Sequence, residues 1–340
     1  MPSLRSGSPI SPSSPVSRNQ AGEARGGPGG ARVPGAGPVA GTGAGRPPVW
    51  RVWWMAARPM TLPASISPVI VASALAAGEG LFRLDVFLAA LIAALLIQIG
   101  ANFANDLFDF KKGADTEART GPTRVTQAGL LSEAQVARGT AVVLGLAFLV
   151  GLYLVWVGGW PVLVVGLASI AGAILYTGGP WPLGYHGLGD LFVFIFFGLV
   201  AVVTTYYLHT GHVTPLAFTL AVPVGLIVTD ILVVNNLRDI ATDRAAGKRT
   251  LAVRLGDRAT RYQYVLFLVV AYLVPLALGF AGRIGPLFWL PLVSLPLAWR
   301  LVRTVLEGTQ GPALNRVLKG TGQLFLIYAL LLGAGLAWPR

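Results

Sequence analysis

From residue 61 onward the chain alternates long apolar runs with short polar ones. The apolar runs cover 61–78, 86–104, 139–157, 161–177, 188–207, 215–236, 262–281, 284–302 and 320–338. Each approaches the roughly 17–25 residues that an α-helix needs to cross a bilayer core. The pattern predicts an all-α integral-membrane bundle of about nine transmembrane helices, an odd number that puts the two ends of the bundle on opposite sides. Before it, residues 1–48 consist largely of Gly, Pro, Ala, Ser and Arg without apolar periodicity. Such a segment buries too little to offset its ordering entropy, so the expectation is a disordered cytoplasmic tail (1–48) followed by a transmembrane domain (49–340). The tail lacks the continuous apolar core of a secretory signal peptide.

Composition agrees with a membrane protein. Of 340 residues, 54% are hydrophobic and only 12% charged, with a mean hydropathy of +0.67, against about 25% charged in an average soluble domain. The absence of cysteine excludes disulfides and thiolate-bound metals, so a metal site must use carboxylates, amides or histidines. The net charge of +12 points to the lipid bilayer and to no nucleic acid, because the bases are sorted by loop. Cytoplasmic segments retain an excess of Lys and Arg. With the N-terminus inside, 23 of the 26 Lys and Arg fall on one side: in the tail to Arg58 and in the loops near 105–138, 237–261 and 300–319. Only Arg83, Arg283 and Arg340 fall opposite. One loop on the inner side, 178–187, carries no Lys or Arg at all.

The 14 acidic residues are spread unevenly. Asp106, Asp109, Asp115 and Glu117 follow the second apolar run; Asp230, Asp239 and Asp243 lie in and after the sixth. Carboxylates at such places are costly to bury and mark functional sites. If the second helix continues, Asn102, Asp106 and Asp109 recur at i, i+4 and i+7, with Asn105 adjoining, and their oxygens share a face. Asn236, Asp239 and Asp243 recur at i, i+3 and i+7. The pairs Asn105/Asp109 and Asn235/Asp239 are 130 residues apart, with four apolar runs between, so both clusters return to one side and suggest a weak internal repeat across one cavity. Carboxylate and amide oxygens suit Mg²⁺, held by one or two carboxylates together with phosphates. Basic loops beside them suit the rest of a diphosphate. A single Asp-x-x-Asp at a helix end is usually a solvated cap; two such clusters with matching Asn and basic neighbours are a more specific signal for a lipid diphosphate.

At these residues the chain resembles the UbiA superfamily of membrane prenyltransferases, over roughly 50–340. Asn105-Asp106-x-x-Asp109 matches the superfamily signature, with Asp115 as the third carboxylate. Its interval from Asp109 is six residues, where many members have four, and Gly113 lies within it. Segments 113–124 and 235–250 resemble the 1,4-dihydroxy-2-naphthoate branch. The resemblance implies a helical bundle around a central cavity, and transfer of a polyprenyl group from polyprenyl diphosphate to 1,4-dihydroxy-2-naphthoate with loss of CO₂, giving demethylmenaquinone. It assigns metal and diphosphate roles to Asn105, Asp109 and Asp115 and to Asp239 and Asp243, with Mg²⁺ as cofactor. Asn102, Asp106 and Asn236 join them as substrate-binding candidates.

Mg²⁺ and nearby bases would stabilise the charge on the leaving diphosphate. The preferred bases are Arg124 and Lys112 on the first loop and Arg238 and Lys248 on the second; any one of them could instead be a topology charge or a lipid head-group contact. Aromatic faces could steady the allylic cation, with Tyr176, Tyr206, Tyr207, Phe103 and Phe108 as possibilities, although aromatics in membrane helices more often pack or anchor. No histidine dyad stands out, and Asp190 and Asp230 have no assigned role. Two rival readings stand: another aromatic acceptor, such as 4-hydroxybenzoate or homogentisate, and a membrane transporter, whose polar residues would sit nearer the midplane on interrupted helices. The expected place is the cell membrane, with the N-terminus and both Asp clusters cytoplasmic.

Overall fold

The computed structural model describes residues 47–113, 121 and 123–338. Nearly all of the tail, and Asp115 and Glu117, lie outside these residues. The described residues form helices and no strand. A short helix, α1 (Val49–Ala57), is followed by α2 (Pro63–Gly78), α3 (Leu84–Lys111), α4 (Glu133–Gly158) and α5 (Trp160–Leu175). Next come α6 (Gly189–Val193), a π-helical stretch (Phe194–Val200) and α7 (Ala201–Thr210), which run on as one rod. Helices α8 (Pro215–Ala245), α9 (Leu251–Phe280), α10 (Leu295–Leu306) and α11 (Leu314–Ala337) complete the bundle.

Eight of the nine expected apolar runs fall largely on helix and the run at 284–302 only in its second part, and they are not nine equal spans. Six are long and apolar enough to cross a bilayer: α3, α4, the α6–α7 rod, α8, α9 and, with the 3₁₀ turn before it, α11. A seventh is α2 taken with the helical segment before it, bent by 53°. Helix α5 is apolar but shorter, and the run at 284–302 divides into turn, 3₁₀ helix (Leu290–Ser294) and α10, which ends with Arg300 and Arg303. Burial separates centre from rim. In α8, 72% of the apolar stretch is buried inside the protein; in α4, 17%. Helix α8 is thus the axis of the bundle and α4 turns mostly to lipid.

Local chemistry sets the boundaries. Ser132 and Gln135 form a reciprocal capping box at the start of α4, satisfying donors that the helix leaves open. Thr214 and Thr250 cap α8 and α9 through their hydroxyls. The π-helix crosses α8 at Gly198 and Gly225, where a Cβ on Gly198 would lie 2.5 Å from the Gly225 Cα. Only glycine allows that backbone approach.

The largest departure from expectation is length. Helix α3 has 28 residues and runs through Asp106 and Asp109 to Lys111; α8 has 31 and runs through Asp239 and Asp243 to Ala245. At 1.5 Å per residue each rises over about 40 Å, beyond a hydrocarbon core of about 30 Å. Both polar clusters therefore ride on the last turns of long helices rather than on loops.

Candidate active site

A cavity of about 430 Å³ runs into the bundle. Its polar end receives Asn105 and Asp109 from α3 and Asn235, Asn236, Asp239 and Asp243 from α8. The two clusters predicted from sequence thus share one wall.

Around the first cluster, Asp109 is the hub. Its Oδ2 accepts from Arg124 Nη2 at 2.6 Å, with both side chains about 5% exposed. Its Oδ1 accepts from Tyr185 Oη at 2.6 Å and lies 3.4 Å from Lys248 Nζ. Arg124 and Lys248 also line the cavity. Asn105 accepts from the Thr177 hydroxyl at 2.8 Å. The one-face expectation is refined here, because Asp106 is 2% exposed and does not line the cavity. Its carboxylate instead accepts the backbone N–H groups of Val125 (3.0 Å) and Thr126 (3.2 Å). Asn102 reaches the wall, yet its amide donates to Ala57 O (2.8 Å) and to Thr61 Oγ1 (3.0 Å). Those bonds flank Arg58, which holds a left-handed φ of 52° between α1 and α2 and also lines the cavity. A non-glycine residue there is strained, and Asn102 ties down both sides of it.

The second cluster uses its arginine differently. Arg238 forks onto Asp239, with Nε–Oδ1 at 2.8 Å and Nη2–Oδ2 at 2.5 Å. It also donates to Asn235 at 2.8 Å and to Asn315 of α11 at 2.7 Å. Its side chain is wholly buried and does not line the cavity. Expected as a substrate contact, Arg238 stands behind the acid that faces the cavity. Lys112 is likewise outside the wall. Its ammonium donates to Thr177 O (2.7 Å) and Gly179 O (3.2 Å). Burial lowers the Lys112 pKa below the usual lysine value; Asp109 opposes that shift and Lys248 adds to it.

The loop that carries no Lys or Arg explains its own exception, since it accepts bases from elsewhere. Lys112 and Lys248 lie over the Tyr185 ring, 5.0 and 4.5 Å from its centroid, at cation–π range. Arg249 N–H donates to Tyr185 O and Arg254 Nη2 to His186 O, each at 2.8 Å. Tyr185 was not singled out in the sequence. The available signal was indirect: a Gly- and Pro-rich inner loop without a single base. Farther in, the walls become apolar and aromatic, with Tyr176, Phe192, Phe196 and Phe197 among the lining residues. Tyr207, Tyr206, Phe103 and Phe108 do not line it. Asp190 accepts from Gln263 at 2.7 Å, Asp230 is wholly buried with no hydrogen-bond partner among the described residues, and neither lines the cavity.

Two opposed motif-bearing helix ends, an oxygen-lined polar mouth and an apolar interior agree with what comparison finds. The model of the UbiA prenyltransferase family matches residues 65–319. The chain belongs to the UbiA prenyltransferase family. Among its relatives, the 1,4-dihydroxy-2-naphthoate octaprenyltransferase of Mycobacterium tuberculosis is 41% identical over 288 residues, 85% of this chain and 97% of that one. The enzyme of the same description from Haemophilus influenzae is 36% identical over 84% of this chain and 96% of its own length. The UbiA fold is also seen in solved structures. A UbiA homolog from Aeropyrum pernix superposes with a TM-score of 0.62 at 17% identity, covering 80% of this chain and 96% of that one. One from Archaeoglobus fulgidus, bound to GPP and Mg²⁺, superposes with a TM-score of 0.60 at 14% identity, over 83% and 99%. With six helices long and apolar enough to cross a bilayer, this UbiA family member is a helical integral membrane protein.

Proposed function

We propose that this chain transfers a polyprenyl group from polyprenyl diphosphate to 1,4-dihydroxy-2-naphthoate, with loss of CO₂, giving demethylmenaquinol, the reduced form of demethylmenaquinone. The observation that carries the chemistry is the convergence of Asn105 and Asp109 from α3 with Asn236, Asp239 and Asp243 from α8 on one cavity whose interior is apolar. The relatives described as 1,4-dihydroxy-2-naphthoate octaprenyltransferases, similar over nearly their whole length, support the choice of acceptor.

The donor set fits Mg²⁺, since all of these residues offer carboxylate or amide oxygen. A cation held by one or two carboxylates at each helix end would be completed by substrate phosphates. Asn105 and Asp109 would hold it at one helix end and Asp239 and Asp243 at the other, with Asp115, outside the described residues, as the further ligand expected from sequence. When bound, Mg²⁺ neutralises the charge developing on the departing diphosphate.

The remaining work falls to side chains. Arg124 and Lys248, both held at Asp109 here, bind the non-bridging diphosphate oxygens. The bond between the first prenyl carbon and the bridging oxygen breaks, and its electron pair leaves with the diphosphate. Tyr176, Phe192 and Phe196, in ring contact with one another along the wall, exclude water and turn π faces to the allylic cation. The ring carbon that bears the carboxylate attacks that cation, and the carboxylate departs as CO₂.

Purified protein incubated with dihydroxynaphthoate, 4-hydroxybenzoate or homogentisate and several prenyl diphosphates, with product masses read out, tests this. Demethylmenaquinol, read as itself or as the quinone that air oxidises it to, is expected from the first acceptor alone. Preference for another acceptor, or uptake into sealed vesicles without diphosphate release, would overturn the proposal. The charge distribution further supports a cell-membrane protein with both helix ends cytoplasmic. The chain has no cysteine, so single cysteines placed at 111 and 248 report sidedness directly; labelling from opposite sides would rule out one shared site.

A further inference from the structure

Asp106 stands in the signature next to Asn105, yet it faces away from the cavity those neighbours line. One helical step turns a side chain by about 100°, and that step takes Asp106 into the packing between α3, α1 and the segment that follows residue 123. Phe103 and Leu107 of α3, Val52 and Ala56 of α1, and Val125 and Leu131 bury one another there. Within this apolar cluster the carboxylate has two partners among the described residues, the N–H groups of Val125 and Thr126. The residue immediately before them is Arg124, whose guanidinium meets Asp109 across the cavity wall. The segment then folds on itself, with Ala128 N–H donating to Arg124 O and Leu130 and Leu131 N–H to Val125 O. It is a compact turn fastened to α3 through one carboxylate.

We propose that Asp106 is a positioning residue rather than a metal or diphosphate ligand: by clamping the backbone at 125–126 it delivers the Arg124 guanidinium to Asp109 and to the substrate diphosphate. The argument is geometric. A carboxylate accepting two backbone N–H groups in a buried site is held firmly by charge-assisted bonds. Arg124 has a long side chain with several rotatable bonds, and anchoring its own backbone reduces the disorder that ligand binding must remove. Asp109, one turn on and on the cavity side, meets side chains among the described residues: Arg124, Tyr185 and Lys248. The signature thus combines two tasks on two faces of one helix, Asn105 and Asp109 toward the ligand and Asp106 toward the turn that carries the arginine.

The inference rests on the proposed prenyl-diphosphate chemistry, and its test keeps the two separable. Wild type, Asp106→Asn, Arg124→Ala and the double variant are compared for kcat, for KM of prenyl diphosphate and for the half-saturating Mg²⁺ concentration. Replacing one carboxylate oxygen by an NH₂ group sets donor against donor, so Asp106→Asn should lower kcat/KM by about ten- to a hundredfold. The loss should appear mainly as a raised KM, with the Mg²⁺ requirement unchanged. In the Arg124→Ala background the same substitution should cost less than about twofold more, because a residue that acts through another adds nothing once that other is gone. Hydrogen exchange in the absence of substrate and metal supplies a readout beyond activity: amides at 125–131 should exchange faster in Asp106→Asn and at the wild-type rate in Arg124→Ala. Multiplicative losses in the double variant, a raised Mg²⁺ requirement in Asp106→Asn, or unchanged exchange at 125–131 would each overturn the clamp. If Asp106→Asn does not accumulate as folded protein, Asp106→Ser replaces it in the same cycle and is judged by the same outcomes. A wild-type protein that transfers no prenyl group would sink the functional reading, whereas additivity in an active enzyme would sink only the clamp.

Discussion

The two helix ends carry nearly the same letters and use them in opposite ways. At the end of α3 the arginine arrives from a turn 15 residues later and enters the cavity wall. At the end of α8 the arginine is the residue directly before the acid, and it is buried behind the wall. The difference follows from helix geometry. Neighbours on a helix diverge by about 100°, and at this position that step turns Arg238 out of the cavity that Asp239 lines, its long side chain wrapping back to reach the carboxylate. A base supplied by a loop has no such restriction. A loop-borne arginine therefore suits ligand contact, and a helix-borne one at i−1 suits fixing the acid.

This contrast is first broken or sharpened at the acids, where the largest effects are expected. Asp109→Asn and Asp239→Asn should each lower kcat by about a hundredfold or more, because both remove a carboxylate proposed to hold the Mg²⁺ that stabilises the leaving group, and a chelator should abolish activity that Mg²⁺ restores. Full turnover by a folded Asp239→Asn enzyme would confine the chemistry to the α3 end.

Next come the two arginines, measured together. Arg124→Ala removes a charge-assisted contact and should cut kcat/KM by about ten- to a hundredfold with a modest change in thermal stability. Arg238→Ala removes the buried base that forks onto Asp239 and should destabilise by about 3–5 kcal/mol, seen as a fall in Tm, while KM for prenyl diphosphate in the folded fraction changes little. Equal KM defects in the two variants would erase the distinction between them.

A smaller effect is expected at the loop that gathers lysines. Tyr185→Phe keeps the ring beneath Lys112 and Lys248 but loses the 2.6 Å bond to Asp109. It should lower kcat/KM by about three- to tenfold; an unchanged value would leave Tyr185 as packing alone. Smallest of all, Arg316→Ala should alter kcat/KM by less than about twofold. Arg316 sits at the start of α11 and does not line the cavity. Damage equal to that of Arg124→Ala would show that positive charge on this side matters without regard to place.

Much of the molecule is determined by sequence alone. Apolar run length decides that these helices are membrane elements, because the bilayer sets a minimum span, and the distribution of Lys and Arg supports their orientation. The clusters at 105–109 and 235–243 are legible for the same reason: polar side chains at the edges of apolar helices are costly and stand out. Tertiary structure decides what periodicity leaves open. Spacing fixes the angle between two side chains on a helix but not the rotation of the helix against its neighbours, so only packing settles that Asn105 and Asp109 face the cavity while Asp106 and Arg238 face away. It also decides the long-range meetings. Tyr185 and Lys248 reach Asp109 across 76 and 139 residues, and no local pattern encodes a contact whose partners are brought together by the closure of the whole bundle.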